Sequence, residues 1–97
     1  MRRLAGSLVA LAMVVSGCSE ASTDGAELYR LHCAACHGSD LSGGVGTSLA
    51  AGTGAAALDD SAYRVVIREG TTGMPASSLD ARRIDAVIAY VRQVQGE

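Results

Sequence analysis

Cys33-Ala34-Ala35-Cys36-His37 decides how the rest of this chain is read. Two thiols three positions apart sit within one helical turn, and an imidazole follows directly on the second. Three chemistries use a C-x-x-C pair. A thioredoxin-like redox pair is disfavoured by the following histidine and by the lack of a βαβ pattern around it. Half of a zinc site is disfavoured because no second Cys or His pair lies downstream. C-x-x-C-H is the attachment signature of c-type haem. Cys33 and Cys36 then form thioethers with the two vinyl groups of one porphyrin edge, and His37 presents its imidazole to the iron as an axial ligand.

A second axial ligand follows by elimination. His32, the other histidine, adjoins Cys33 on the proximal side and cannot reach the opposite face of the ring, so it reads as an exposed helix residue. Met1 and Met13 fall in an N-terminal segment that export would remove. Met74 is then the remaining thioether, in Gly73-Met74-Pro75, beside the chain's only proline. A loop methionine followed by a fixed φ is a poor core filler and a good rigid mount for a ligand. The alternative is a packing or solvent-facing Met74 with five-coordinate iron.

Three helices flank these residues. The first begins at Asp24, with Glu27 in capping-box spacing, and sets Leu28 and Leu31 on one side. The second runs from about Asp60 to Glu69, capped by Asp59, Asp60 or Ser61 and ended by Gly70. Ala62, Tyr63, Val66 and Ile67 are its inward candidates. The third opens on a Ser77/Asp80 capping-box pair and carries Ile84, Val87, Ile88, Val91 and Val94 at helical spacing. Arg82, Arg83, Asp85, Arg92 and Gln93 take its outer faces. Between the first two helices, Gly38 to Gly54 is a seventeen-residue loop holding six of the twelve glycines. So long a loop in so small a domain implies that it wraps something. No internal repeat and no sustained strand period is present.

The N-terminus reads as an export signal. Met1-Arg2-Arg3 is a positive n-region and Leu4 to Val15 an apolar stretch of twelve residues. That is too short for a bilayer span of about 20 residues and suits a secretory h-region. Val15-Ser16-Gly17-Cys18 resembles the bacterial lipobox, which makes Cys18 the lipidated N-terminus of the mature chain and residues 1–17 a cleaved lipoprotein signal peptide. An ordinary cleaved signal is the alternative. Residues 18–24 then form a small polar tether and residues 25–97 the folded domain. Seven residue steps from Cys18 to Gly25 span at most about 25 Å, which holds the domain close to a membrane. Ser19, in place of the Asp that resembles an inner-membrane retention signal, leans toward the outer membrane.

Composition agrees. At 97 residues the chain is a single domain. Its aromatics are Tyr29, Tyr63 and Tyr90, without Phe or Trp, so a bulky-residue core is missing and a cofactor is the natural substitute. Three cysteines resolve as one lipid anchor and two haem thioethers, with no disulfide to seek. Every basic residue is Arg, and the formal charge is −2, becoming −4 once Arg2 and Arg3 are removed. That excludes a polybasic nucleic-acid binder.

Beyond the haem motif the chain resembles the small class I cytochromes c. Gly25-x-x-x-Tyr29-x-x-x-Cys33 is similar to the family's first helix, and Ile88-Ala89-Tyr90-Val91 to its last, whose aromatic packs across that glycine. His37-Gly38 and Gly73-Met74-Pro75 also match, so the likeness spans about residues 24 to 95. It implies the all-α cytochrome c fold, with three main short helices and glycine-rich loops wrapped around one covalent haem c. Two departures stand out. Where the family often has Gly-Pro-x-Leu, whose carbonyl accepts the proximal histidine's Nδ1–H, this chain has Gly46-Thr47-Ser48-Leu49. The carbonyl survives without the rigidity. The family's lysine-rich basic face is also absent; Arg64, Arg68, Arg82, Arg83 and Arg92 are the basic groups after the loop, each read by default as a solvated helix face.

With His37 and Met74 both bound, the iron has no open site and exchanges one electron without a small-molecule substrate. The expectation is an exported, membrane-tethered monohaem electron carrier rather than an enzyme. It would serve redox-protein donors and acceptors of respiration or photosynthesis, and bind no nucleic acid. The alternatives are a haem-based gas or redox sensor and a cytochrome subunit of an oxidoreductase complex.

Overall fold

A computed structural model of the chain describes residues 23–97. The expected signal segment, 1–17, and Cys18 lie outside the described residues. Four helices follow in order: α1 (Gly25–His32), α2 (Ala34–His37), α3 (Asp60–Glu69) and α4 (Ala81–Gln95). No strand occurs among the described residues; Thr71 and Met74 form an isolated bridge. The all-α expectation holds, with one more helix than periodicity suggested. α2 is a single turn, split from α1 at Cys33, whose ψ of −35° with φ of −126° is not helical.

Side-chain caps start the longer helices. Asp24 accepts from Ala26 N–H at 3.0 Å, Asp59 from Ala62 N–H at 2.9 Å and Asp80 from Arg83 N–H at 3.0 Å. A capped start of this kind contributes about 1 kcal/mol. α4 therefore begins at Asp80, not Ser77. The Ser77 hydroxyl accepts from Leu79 N–H at 3.0 Å, a local turn that competes with helix. Gly70, at φ 79°, ends α3 as expected.

α4 is the spine, packing on α1 and on α3. Its Ile84, Val87, Ile88 and Val91 are all buried, joined by Leu28, Tyr29, Leu41 and Tyr63. Four of the five apolar positions expected on α4's inner face are thus in the core, while Val94 packs at its edge. Leu31 corrects the reading of α1: it is 57% exposed. Leu28 of that pair is in the core, and Leu31 is not.

The crossing is close because residue 25 has no side chain. A Cβ there would lie 2.1 Å from the Ala86 carbonyl oxygen and 3.1 Å from Tyr90 Cβ. One turn on, the Tyr29 and Tyr90 rings meet at 5.5 Å between centroids, tilted by 44°. The resemblance anticipated this packing of Tyr90 across Gly25. Tyr29 is 2% exposed, and its hydroxyl donates to the Gly38 carbonyl at 2.6 Å. That bond ties the helix crossing to the end of the C-x-x-C-H turn. Burial, with the neighbouring Cys33 second, pushes the Tyr29 phenol up to about 12.

Candidate haem site

The motif is displayed by the chain break at Cys33. Cys33 N–H still closes α1 on Tyr29 O at 2.8 Å, and the Cys33 carbonyl opens α2 by accepting from His37 N–H at 3.0 Å. The two thiols consequently belong to one turn but differ in setting: Cys33 is half-buried and Cys36 exposed. Burial, followed by the proximity of Cys36, raises the Cys33 thiol to about 11, so the free thiol is neutral at physiological pH.

The glycine-rich loop folds back onto this turn. Gly43 N–H donates to His37 O at 2.7 Å and Gly46 N–H to Cys36 O at 2.8 Å. A side chain at position 46 would press on Cys36 O and His37 Cε1, each at 3.1 Å, so glycine is what lets the loop close. The next residue then sets the imidazole: His37 Nδ1 lies 2.8 Å from Thr47 O. A carbonyl can only accept, so Nδ1 carries the proton and Nε2 keeps a lone pair. That is the tautomer a metal-binding imidazole needs. The neighbours of Thr47 are tied as well. Leu41 O receives Leu49 N–H at 2.8 Å and the Ser48 hydroxyl at 3.2 Å. Leu41 itself is fully buried with φ of 71°, a strained conformation for a branched residue.

Met74 reaches the same cavity from a tight turn. Thr71 N–H donates to Met74 O at 2.9 Å and Met74 N–H to Thr71 O at 2.8 Å, with Gly73 between them at φ 78°. A positive φ at the third turn position is what a type II turn demands. A cavity of about 570 Å³ is lined by Cys33, Cys36, His37 and Met74 together. Its other walls include Tyr29, Tyr63, Leu49 and Val91, and none of its lining residues is an Asp, Glu or Arg. His32 is exposed and takes no part in the lining.

Sequence reasoning missed Arg92. Expected on an outer face, it instead turns inward over the Tyr63 ring, with the guanidinium carbon 4.3 Å from the ring centroid. It donates to Asp60 Oδ1 at 2.9 Å, to Ala56 O at 3.1 Å and to Leu58 O. Nothing local in the sequence signals these partners, which lie 32 to 36 residues away. Arg64 and Arg68 form exposed pairs, with Asp85 at 2.7 Å and Glu69 at 3.0 Å, whereas the less exposed Arg83 meets the cap residue Asp80 at 2.5 Å.

These residues fit a c-type haem. The cavity lies within the roughly 300–1,000 Å³ of cofactor pockets, its walls are apolar, and its donors are two thiols, a correctly protonated imidazole and a thioether. The family model described as cytochrome c oxidase, cbb3-type, subunit III matches residues 20–91. No curated protein and no solved structure matches the chain. A family match over most of the chain, around one C-x-x-C-H turn and its cavity, has one meaning: the chain belongs to the cbb3-type cytochrome c oxidase subunit III family, as a small monohaem c-type cytochrome with covalently bound haem c.

Proposed function

We propose that this protein is a one-electron carrier with His37 and Met74 as the axial pair, tethered through a lipid on Cys18 to the outside of a bacterial membrane. One observation carries the ligand assignment: a single cavity receives the imidazole, the thioether and both thiols of the attachment motif. When bound, the haem supplies a reversible iron(III)/iron(II) couple. Cys33 and Cys36 hold it through thioethers. Thr47 fixes the tautomer of His37, and the Thr71–Met74 turn limits how far Met74 can swing. The apolar walls exclude water, which favours the less charged, reduced iron, as does thioether ligation. Electrons would pass to and from redox proteins at the membrane. The tether rests on the lipobox-like Val15-Ser16-Gly17-Cys18.

The ferric spectrum of the holoprotein tests the ligands. A weak far-red charge-transfer band reports a thioether on ferric haem. Its absence, with rapid carbon monoxide binding by the ferrous form, would instead identify a sensor with an open iron. For the anchor, the intact mass of protein from the membrane fraction should carry a diacylglycerol adduct; an unmodified soluble product would exclude it.

A second reading has support in the family match, whose description is an oxidase subunit. In it the protein is a fixed subunit of an oxidoreductase complex rather than a mobile shuttle. Purification from membranes separates the two. A stoichiometric partner retained through high salt marks a subunit, whereas a free monohaem protein marks a shuttle.

A further inference from the structure

Arg92 is the least expected residue in the fold, and its contacts converge on one wall of the cavity. The last part of the glycine-rich loop and the residues that follow it, 49–58, contribute Leu49, Ala55 and Leu58 to that wall. Within this stretch Thr53 is the hub: its hydroxyl donates to Ala50 O at 2.7 Å and accepts from Ala56 N–H at 3.2 Å, while Ala57 N–H reaches Thr53 O and Leu58 N–H reaches Ala55 O, each at 3.2 Å. The carbonyls of Leu49, Ala55, Ala56 and Leu58 are held by side chains of α3 and α4. Arg92 binds the carbonyls of Ala56 and Leu58 through its two terminal nitrogens and Asp60 through Nε. Gln95, whose Oε1 accepts from Arg92 at 2.9 Å, donates to Leu49 O at 2.8 Å. The guanidinium face rests on Tyr63, whose hydroxyl donates to Ala55 O at 2.7 Å.

We infer that Arg92 is a positioning residue for the haem cavity, a planar clamp on α4 that holds the 55–58 wall shut and so sets how much water reaches the bound cofactor. This rests on the cavity being the haem site. A guanidinium suits the task because its rigid fork addresses two carbonyls and a carboxylate at once while its face stacks on an aromatic ring. Lysine keeps the charge and can still pair with Asp60, but it is a single point donor and cannot hold both carbonyls. At 27% side-chain exposure, Arg92 is shielded enough for these bonds to outlast ordinary screening.

The test compares the wild-type holoprotein with Arg92→Lys and Asp60→Asn. Amide hydrogen exchange is read at Ala56, Ala57 and Leu58, and the reduction potential is measured alongside. Hydrogen bonds to a charged group are each worth enough that losing them should speed local exchange by roughly tenfold to hundredfold. Arg92→Lys should show that acceleration together with a downward shift in potential, as water enters beside the cofactor. Asp60→Asn, which removes the ion pair and leaves the carbonyl bonds, should change neither by as much. Equal effects of the two variants would reduce Arg92 to an ordinary ion pair and overturn the inference. So would an Arg92→Lys protein with native protection and potential. If Arg92→Lys takes up no haem, the wild type still decides: residues 56–58 must exchange far more slowly than Gly52. Equal rates would show that no clamp exists. A holoprotein that keeps its clamp but lacks a thioether band would fail the ligand proposal and leave this one standing.

Discussion

The imidazole Nδ1 of His37 and the carbonyl oxygen of Thr47 are 2.8 Å apart, and Thr47 stands at the position where the resemblance to cytochromes c would place proline. The acceptor is a backbone atom, so the substitution leaves the bond itself intact. The stiffness that proline would supply comes instead from the flanks, through Gly46 N–H on Cys36 O and Leu49 N–H on Leu41 O. Thr47→Pro should therefore keep the native absorption spectrum. It should also raise stability by about 0.4–1 kcal/mol through a stiffer unfolded chain. Urea unfolding of the holoprotein checks it; a loss of stability would mean that the Thr47 N–H or its φ is needed.

Gly25→Ala should be among the most damaging single-methyl changes in the chain. The added carbon would lie 2.1 Å from Ala86 O, a backbone atom that cannot rotate away, so α1 and α4 must separate. Overpacking of this sort costs about 1–3 kcal/mol, and the Tyr29–Tyr90 contact is next in line. The expected readout is a lowered thermal midpoint and a poorer yield of haem-loaded protein. A midpoint equal to wild type would show that the helices can part without penalty.

The contrast between Gly25 and Arg92 shows what could be read in advance. Gly25, Tyr29 and Tyr90 sit on helices whose periodicity is visible locally, and so do Ile84, Val87, Ile88 and Val91. A one-dimensional pattern is sufficient for them. Cys33, Cys36 and His37 were legible for another reason, because C-x-x-C-H imposes its chemistry through spacing alone, and Met74 followed by elimination. Four features lacked such a signal. Ser77 and Asp80 are both good caps, and only tertiary placement decides that Asp80 is used. Leu28 and Leu31 share a helix side three residues apart, yet Leu28 is buried and Leu31 is 57% exposed. Leu41, fully buried at φ 71°, sits in a stretch of Gly, Ser and Asp that reads as surface. Arg92 finds partners only when the loop returns to α4.

Tyr29 gives the fold an alkaline limit. Burial, the largest cause, pushes its phenol up to about 12 from an ordinary 10, so the folded state holds the proton more tightly than the unfolded one. Stability from this group is complete below pH 10 and declines as the pH rises from there through 12. Tyr29→Phe should lose about 1 kcal/mol with the Gly38 hydrogen bond, and its thermal midpoint should fall less steeply than that of wild type across that window. Parallel curves for the two proteins would assign the alkaline loss to another group.

Met74→Ala separates ligand from filler. Under the proposed ligation the iron gains an open position, so the ferrous variant should bind carbon monoxide rapidly at neutral pH, and the potential should fall. The reciprocal Thr71–Met74 bonds are backbone contacts and survive the change, so the turn itself stays in place. An unaltered spectrum would remove Met74 from the iron.

Among the described residues, five of the eight in the buried core, Tyr29, Tyr63, Val87, Ile88 and Val91, also line the cavity. The core of this chain is thus largely the wall of its cofactor site. Without the cofactor these side chains would face a cleft of about 570 Å³ open to solvent. Water entering through the mouth brings no apolar contact to Val87 or Ile88, and whole domains are stable by only about 5–15 kcal/mol. Protein made without haem, or with Cys33 and Cys36 both changed to alanine, should show little helix by circular dichroism and no cooperative melt. A sharp calorimetric transition in the haem-free chain would mean that the helices have a core of their own, and that the porphyrin is only a guest.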